Sequence, residues 1–238
     1  MLNELNRFYT KLTQAEDSDD YIFDFKELLL SSDETEILEF HFHILMDRKN
    51  EYLYRDIFSF FSDRTNKKSV SEFLYQKYIS GITDDILKAD VIQLLGHLRS
   101  EYGYILSNEN MQSTLRDIRY RCIIVLGWMG KAKDLPTLNE RMLNDSDGKL
   151  RGFSATAMRQ IWYNYKSTKE TITRYISDAI RKEENEEAII GMIITLQDLH
   201  KKKFGIKESQ YGDVSGDVAL AKNRAVADLD KMFKDNLL

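Results

Sequence analysis

The chain has 238 residues, of which 42% are apolar, and this is enough for a sizeable buried core. With one proline and 11 glycines, it has too few turn residues for a sandwich or barrel of many short strands, so we expect an all-α protein. The formal net charge of −5 disfavours nucleic acid as a partner and favours basic surfaces.

The amino-terminal residues lack the basic start and apolar stretch of a secretory signal. No run approaches the roughly 18 apolar residues that a membrane span requires. The single cysteine, Cys122, lies in an apolar helical run, so we expect a small core side chain and no intramolecular disulfide. These features predict a cytoplasmic protein that does not bind membranes.

Residues 1–82 predict several amphipathic helices that do not resemble one another. The first has apolar side chains three and four residues apart, as on one helical face, at Leu2, Leu5, Phe8, Tyr9 and Leu12. Asp19 or Asp20 can cap the second helix. Further helices are expected around 34–46, over 51–62 and up to about Ile79.

From Thr83 onward, four segments share the same apolar spacing. They are LKADVIQLLGHL from Leu87, IRYRCIIVLGWM from Ile118, LRGFSATAMRQI from Leu150 and AIIGMIITLQDL from Ala188. Their starts are 31, 32 and 38 residues apart, a period typical of repeated helix pairs.

Each segment is predicted to be the first helix of a pair. The second helices are expected near Leu106–Leu115, Leu135–Leu143 and Thr171–Arg181, and a glycine-bearing loop and a last helix over Val218–Phe233 follow. We therefore predict one domain of residues 1–238. It divides into divergent amino-terminal helices at 1–82, repeats at 83–204, and a loop with a capping helix at 205–238.

The segment from Asp117 to Tyr163 resembles HEAT repeats. The resemblance rests on Asp117 before the first helix, Arg119 two places on, the small and apolar run that ends in Leu126-Gly127, and Pro136 at the start of the second helix. The resemblance implies a right-handed α-α superhelix of helix pairs with atypical amino-terminal helices. It also implies a ladder of Asp and Arg side chains between neighbouring repeats, to which Asp147 and Arg151 would belong.

The sequence departs from the HEAT pattern at three positions. Arg159 stands in place of the glycine, and Ile189 and Lys88 stand where an arginine is expected. The resemblance implies an architecture and not an activity, since helical repeats mostly present binding surfaces.

No residue pattern predicts a catalytic, cofactor-binding or metal site. His41 and His43 are two residues apart, so on a helix they point to nearly opposite sides, unlike ligands at i and i+4. The turn from Asn144 to Gly148 lacks the later acceptors of a calcium loop and is better explained by capping aspartates. Lys201, Lys202 and Lys203 are interpreted as a solvated helix end, with nucleic-acid contact as the lesser alternative.

Six exposed residues are predicted to bind a protein partner. The equivalent repeat positions of Trp128 and Trp162 indicate packing between helices. On the second helices, inward-facing Leu135, Leu138 and Met142 leave neighbouring side chains available, and exposed tyrosines favour protein contacts. The predicted partner-binding residues are Asn139, Glu140, Tyr163, Tyr165, Arg174 and Asp178.

A small, acidic, free-standing helical-repeat chain of this type resembles bacterial immunity proteins, including those of contact-dependent inhibition. That resemblance implies a monomer, or a heterodimer with a toxin whose basic substrate cleft it blocks without catalysis. A scaffold or chaperone for another protein is the first alternative. A HEAT-like DNA glycosylase is the second, although that activity needs a basic groove.

Overall fold

The structure is a computed structural model that describes residues 1–14, 19–49, 51–209 and 212–235, with only the backbone given for 19 and 20. The described chain is almost entirely helical: it has 13 α-helices, two short 3-10 turns and one antiparallel pair of two-residue strands. None of these helices is long and apolar enough to cross a membrane. The expected all-α class is confirmed.

The elements run in the following order. They are α1 (Leu2–Gln14), α2 (Asp19–Leu30), α3 (Thr35–Ile44), α4 (Glu51–Asp63), α5 (Lys67–Ile79), α6 (Asp85–His97), α7 (Glu101–Glu109), α8 (Arg116–Met129), α9 (Leu135–Asn144), α10 (Gly148–Asn164), α11 (Lys169–Ile180), α12 (Glu186–His200), β1 (Lys207–Glu208), β2 (Val214–Ser215) and α13 (Val218–Lys234).

The chain forms two compact units, residues 1–103 and 104–238. In the first unit each helix packs on the next-but-one helix: α1 on α3 and α3 on α5 in one row, α2 on α4 and α4 on α6 in a second row. Contacts of α1 with α2 and of α5 with α6 join the rows. Paired helices therefore begin at Leu2, although the sequence shows no repeat before Thr83.

The second unit follows the same pattern with longer helices. Helix α10 packs between α8 and α12, and α11 packs between α9 and α13. Helix α10 also contacts α9 and α11, and α12 contacts α11 and α13, so the two rows share one core. Leu135, Leu138 and Met142 of α9 are buried as predicted.

Capping side chains set where the longer helices begin. Asp147 accepts hydrogen bonds from the amides of Lys149 and Leu150, at 2.8 and 3.3 Å, and thereby starts α10. The predicted interpretation of the Asn144–Gly148 turn as a capped turn is confirmed. Asp84, Asn185 and Asp217 make the equivalent contact at the starts of α6, α12 and α13. The capping role expected of Asp19 or Asp20 concerns side chains outside the described residues.

The four segments of shared apolar spacing are helices, α6, α8, α10 and α12, but one helix predicted between them was misplaced. A helix was expected near Leu106–Leu115, whereas α7 begins at Glu101 and ends at Glu109. Ser100 starts it early by accepting a hydrogen bond from the Tyr102 amide. The polar residues after Glu109 form a turn, in which the Ser113 amide donates to the Asn110 carbonyl.

A buried polar cluster holds α2, α3 and α4 together in the first unit. The Nε2–H of His41 donates to the Ile57 carbonyl at 2.9 Å, and its Nδ1 accepts from Arg64 at 3.2 Å. Arg64 is also fully buried, and it donates to Asp33 and to the Leu29 carbonyl. The hydrogen bonds of one neutral imidazole and one guanidinium thus link three helices.

The second unit contains a glycine contact between α10 and α12. A Cβ atom on Gly191 would lie 2.7 Å from the Cα of Gly152, and a Cβ on Gly152 would lie 2.6 Å from the Glu187 carbonyl oxygen. Only hydrogen side chains allow this approach of the two backbones. The contact brings the exposed edges of α10 and α12 close enough to frame one surface.

Candidate protein-binding site

The predicted residues on α9 differ in their accessibility. Glu140 is exposed and accepts a hydrogen bond from Gln112 at 2.9 Å. Asn139 is half-buried, and its Oδ1 atom is enclosed without a hydrogen-bond partner among the described residues. Glu140 is therefore available to a partner in solution, whereas Asn139 offers only part of its side chain.

The predicted residues on α11 are both exposed. Arg174 pairs with Glu170 one turn earlier at 2.8 Å and lies 5.7 Å from the centre of the Phe233 ring. Asp178 is one turn further along the helix. Since α11 packs beside α9, the charged residues of the two helices belong to one row of the second unit.

The predicted tyrosines lie at the end of α10, and Tyr163 is part of a polar cluster. Its side chain is 52% exposed, and its hydroxyl donates to Asp198 of α12 at 2.8 Å. Arg159 contacts the same carboxylate at 3.0 Å and Glu208 of β1 at 3.3 Å. Partial burial, followed by the bond to Asp198, raises the pKa of the Tyr163 phenol. Tyr165 is 39% exposed.

A lysine covers the aromatic rings beside this cluster. The ammonium of Lys166 lies 3.6 Å from the centre of the Trp162 ring and 4.8 Å from that of Tyr163. Trp162 is buried, as expected for a packing residue, and the ammonium of Lys166 lies over its ring. The face that Tyr163 presents is consequently cationic and aromatic.

An open cleft runs along α10 and α12 from this cluster. It has a volume of about 460 Å³, and the glycine contact forms its floor. An ion pair between Lys149 and Glu187, at 3.7 Å, lies at the other end. The lining combines apolar, glycine and charged residues: Lys149, Gly152, Phe153, Thr156, Glu187, Ile190, Gly191, Ile194, Glu208, Gly212 and Val214.

Arginine–carboxylate pairs join successive turns of the second unit. Arg119 of α8 makes two bonds to Asp145, at 2.7 and 2.9 Å, and Arg151 of α10 makes two to Glu183, at 2.6 and 2.8 Å. Arg151 also donates to the Asp145 carbonyl at 2.7 Å. The two pairs stand at equivalent places before α10 and before α12. The partners are Asp145 and Glu183, whereas the sequence pointed to Asp147, which caps α10 and binds Arg116 instead.

The two carboxylates of these pairs remain charged. Burial alone would raise the pKa of Asp145, but the hydrogen bonds from Arg119 and from the Asp147 amide outweigh it and lower that pKa. The pKa of Glu183 is lowered in the same way, with Arg151 opposing the effect of burial. Both pairs are therefore ionised, directional links inside the helix array.

The other residues considered for catalysis or metal binding are Cys122, His41 and His43. Cys122 is fully buried, and this burial raises the pKa of its thiol to about 12. His41 is buried and His43 is exposed. Among the described residues, no group of three or more His, Cys, Asp or Glu side chains could hold a metal ion.

Sequence reasoning missed two exposed aromatic side chains in the first unit. Phe23 on α2 and Tyr52 on α4 are 73% and 78% exposed, more than either predicted tyrosine. Exposed carboxylates lie near Phe23 on its own helix, namely Asp24 and Glu27. Because Phe23 stands outside the apolar stripe of α2, whose buried members are Phe25 and Leu29, helical periodicity could have identified it.

The acidity of the chain is concentrated in that first unit. Residues 1–103 contain 20 acidic and 12 basic residues, and residues 104–238 contain 19 acidic and 22 basic ones. The net charge of −5 thus combines an acidic unit with a mildly basic one. A basic partner surface would be attracted to the first unit.

The chain matches no protein-family model, and no curated protein matches it significantly.

Proposed function

We propose that this chain is a protein-binding module that neutralises a bacterial toxin by covering its active or substrate-binding surface. Its helix pairs would form a right-handed, HEAT-like α-α superhelix, and no catalytic residue is required. Binding would be steric and electrostatic, with carboxylates occupying a basic cleft from which substrate is thereby excluded.

Three features support the HEAT-like architecture. Helices pack on their next-but-one neighbours in both units. Arg119 and Arg151 bridge equivalent turns, as the ladder of that family would. Gly127, which follows Leu126 in the resemblance, lies against α10, where an added Cβ would be 3.2 Å from the Cα of Ala157.

The observation that carries the binding function is the surface of the first unit. It combines an excess of carboxylates with two large aromatic side chains that are mostly exposed, Phe23 and Tyr52. Aromatic anchors surrounded by polar residues are typical of protein-binding hot spots. The carboxylates add attraction for a basic partner and raise the association rate.

The proposal is tested by co-expressing the chain with the protein encoded directly upstream of its gene. We expect the two to co-purify as a stable complex, and we expect cells that express the upstream protein alone to die. Survival of those cells without the chain, or failure of the two proteins to co-purify, would contradict the immunity function.

Two sets of charge reversals then compare the candidate surfaces. Glu140→Lys with Asp178→Lys changes the second unit, and Asp24→Lys with Glu27→Lys changes the first. We expect at least one set to slow association by about tenfold while leaving the fold intact, because charges at an interface rim act mainly on the association rate. The exchange of Lys67 and Lys68 for glutamine is the matched control. If both acidic sets bind like the control, neither surface is the interface.

A further inference from the structure

A second cleft lies where α12 ends and the chain turns into the β1–β2 hairpin. It has a volume of about 600 Å³, within the usual range for small-molecule sites. Its lining is rich in lysine: Gln197, Asp198, Lys201, Lys202, Lys203, Gly205, Ile206, Lys207 and Glu208. Four lysines therefore line one concave surface.

Hydrogen bonds to the backbone hold the loop that carries these lysines. The side chain of Gln197 accepts from the Phe204 amide at 2.8 Å and donates to the Ile206 carbonyl at 3.0 Å. Arg224 of α13 donates to the Phe204 carbonyl at 3.3 Å. Phe204 and Ile206 are themselves buried. The cleft is thus built before any ligand arrives.

Asp198 and Glu208, the two carboxylates in the lining, share one arginine, so one of their two negative charges is compensated. Asp198 accepts from Arg159 and Tyr163, and Glu208 is bound by Arg159. Lys202 pairs with Asp228 of α13, at 2.6 Å. The other three cleft lysines are exposed and have no ion-pair partner among the described residues; they are Lys201, Lys203 and Lys207. The cleft therefore presents uncompensated positive charge.

One of these lysines occupies a backbone conformation that lysine disfavours. Lys201 has φ of +52° and ψ of +39°, the left-handed conformation in which helices commonly end with glycine. A lysine there costs the fold stability that glycine would not. Arg99, just after α6, has a similar positive φ of +55°, so this conformation is a feature of helix ends in this chain.

We propose that this lysine cleft binds a ligand that carries two or more neighbouring phosphate groups. Three flexible ammonium groups are point charges without the planar fork of arginine, which suits the several oxygens of an oligophosphate chain better than one carboxylate. This site is separate from the proposed toxin-binding function, because it uses the lysines after α12 and not the acidic first unit.

The test is calorimetric titration of the whole chain with inorganic tripolyphosphate, ATP and a short oligothymidylate at low salt. The cleft variant carries Lys201→Gly, Lys203→Gln and Lys207→Gln, and the matched control carries Lys67→Gln and Lys68→Gln on α5. We expect the cleft variant to bind tripolyphosphate about tenfold more weakly or worse, and the control to bind it as the parent does, because each lost ammonium removes a charge-assisted contact.

The nucleotide and oligonucleotide arms distinguish the sources of phosphate. If the oligothymidylate binds most tightly and depends on the same lysines, the ligand is a nucleic-acid backbone; if tripolyphosphate or ATP does, it is a free oligophosphate. Lys201→Gly alone is expected to keep or raise the thermal midpoint, so a weaker affinity is not a folding defect. Absence of binding by all three probes, or equal losses in the cleft and control variants, would overturn the proposal.

Discussion

The buried imidazole of His41 makes the stability of the first unit depend on pH. Burial and, secondly, the charge of Arg64 hold the pKa of His41 well below its ordinary value, against the opposing bond to the Ile57 carbonyl. A proton on Nδ1 would also remove the acceptor that Arg64 uses. The unfolded chain binds this proton near pH 6.5 and the folded chain does not, so stability is retained above that pH and falls below it.

Because only the unfolded chain binds the His41 proton, we expect the free energy of unfolding to fall by up to about 1.4 kcal/mol for each pH unit below pH 6.5. Urea titrations of the parent and of His41→Gln between pH 7.5 and 5.5 measure the effect. The variant should lose this part of the slope, while exposed His43→Gln should keep it. Equal slopes in the parent and in His41→Gln would contradict the assignment.

Removing the charge of Arg119 alone, while Asp145 keeps its own, should lower the stability of the protein strongly. The Asp145 side chain is fully buried, so Arg119→Met removes its two close hydrogen bonds and leaves only the 3.6 Å contact with Arg141. We expect this to cost up to about 3–5 kcal/mol in chemical unfolding. Arg174→Met removes an exposed pair on α11 and should cost at most about 1 kcal/mol.

A double variant separates charge from packing. Arg119→Met with Asp145→Asn also removes the buried carboxylate charge and keeps an acceptor for the Asp147 amide, so it should recover part of the loss. If the double variant is as unstable as the sum of the single variants, the two side chains are not coupled.

Among the elements, one kind of hydrogen bond recurs: it joins α4 to α6 and α10 to α12, and it joins α1 to Asp47 after α3 and α7 to Asp134 before α9. A tyrosine hydroxyl donates to an aspartate 30 to 38 residues later in the chain in four places, once for every few helices. The pairs are Tyr9 with Asp47, Tyr54 with Asp90, Tyr104 with Asp134, and Tyr163 with Asp198. Tyr9, Asp47 and Tyr54 lie before Thr83, where no sequence repeat is visible, so the helices there are stabilised by a polar link that apolar spacing does not reveal.

The contact of α10 with α12 should not tolerate a methyl group. Gly191→Ala places a Cβ against the Gly152 backbone, where no side chain can move aside, and is expected to lower stability by about 1–3 kcal/mol. Thr171→Ala at an exposed position of α11 should stay within about 0.5 kcal/mol. Thermal and urea unfolding measure both, and an unchanged Gly191→Ala would show that the helices can separate without cost.

Sequence reasoning succeeded where burial is periodic. The helices α8, α10 and α12 carry the apolar spacing that a one-sided core requires, and the capping residues Asp147 and Asn185 mark the starts of α10 and α12. It failed for α7, whose start depends on Ser100 and whose end depends on a polar turn. It also underestimated the first unit, where Arg64 and His41 occupy interior positions that apolar spacing leaves unassigned.

For the whole molecule, the uneven charge distribution predicts how a partner is captured. With 20 acidic against 12 basic residues in the first unit, association with the basic partner proposed above should slow by about tenfold or more when salt is raised from about 20 to 200 mM. The dissociation rate should change much less. Stopped-flow measurements on the purified complex provide both rates, and an association rate insensitive to salt would exclude electrostatic steering.

The candidate site was harder to predict than the fold because surface residues do not have to follow a regular spacing along the sequence, as buried apolar residues of a helix do. The exposure of Glu140 and Asp178 can be predicted once the buried sides of α9 and α11 are known. The cluster of Arg159, Asp198 and Glu208 joins residues up to 49 positions apart, and no local pattern specifies such a meeting. The lysines after α12 were visible in the sequence, but the sharing of Arg159 by the neighbouring carboxylates was not.

Packing on next-but-one helices has a kinetic consequence. Because the main contacts within each unit join segments close in sequence, few long loops have to close before native interactions form, and refolding should be fast for a chain of this size. Amide hydrogens of α1 and α13, each flanked on one side only, should exchange earliest, and those of α10 should be among the last.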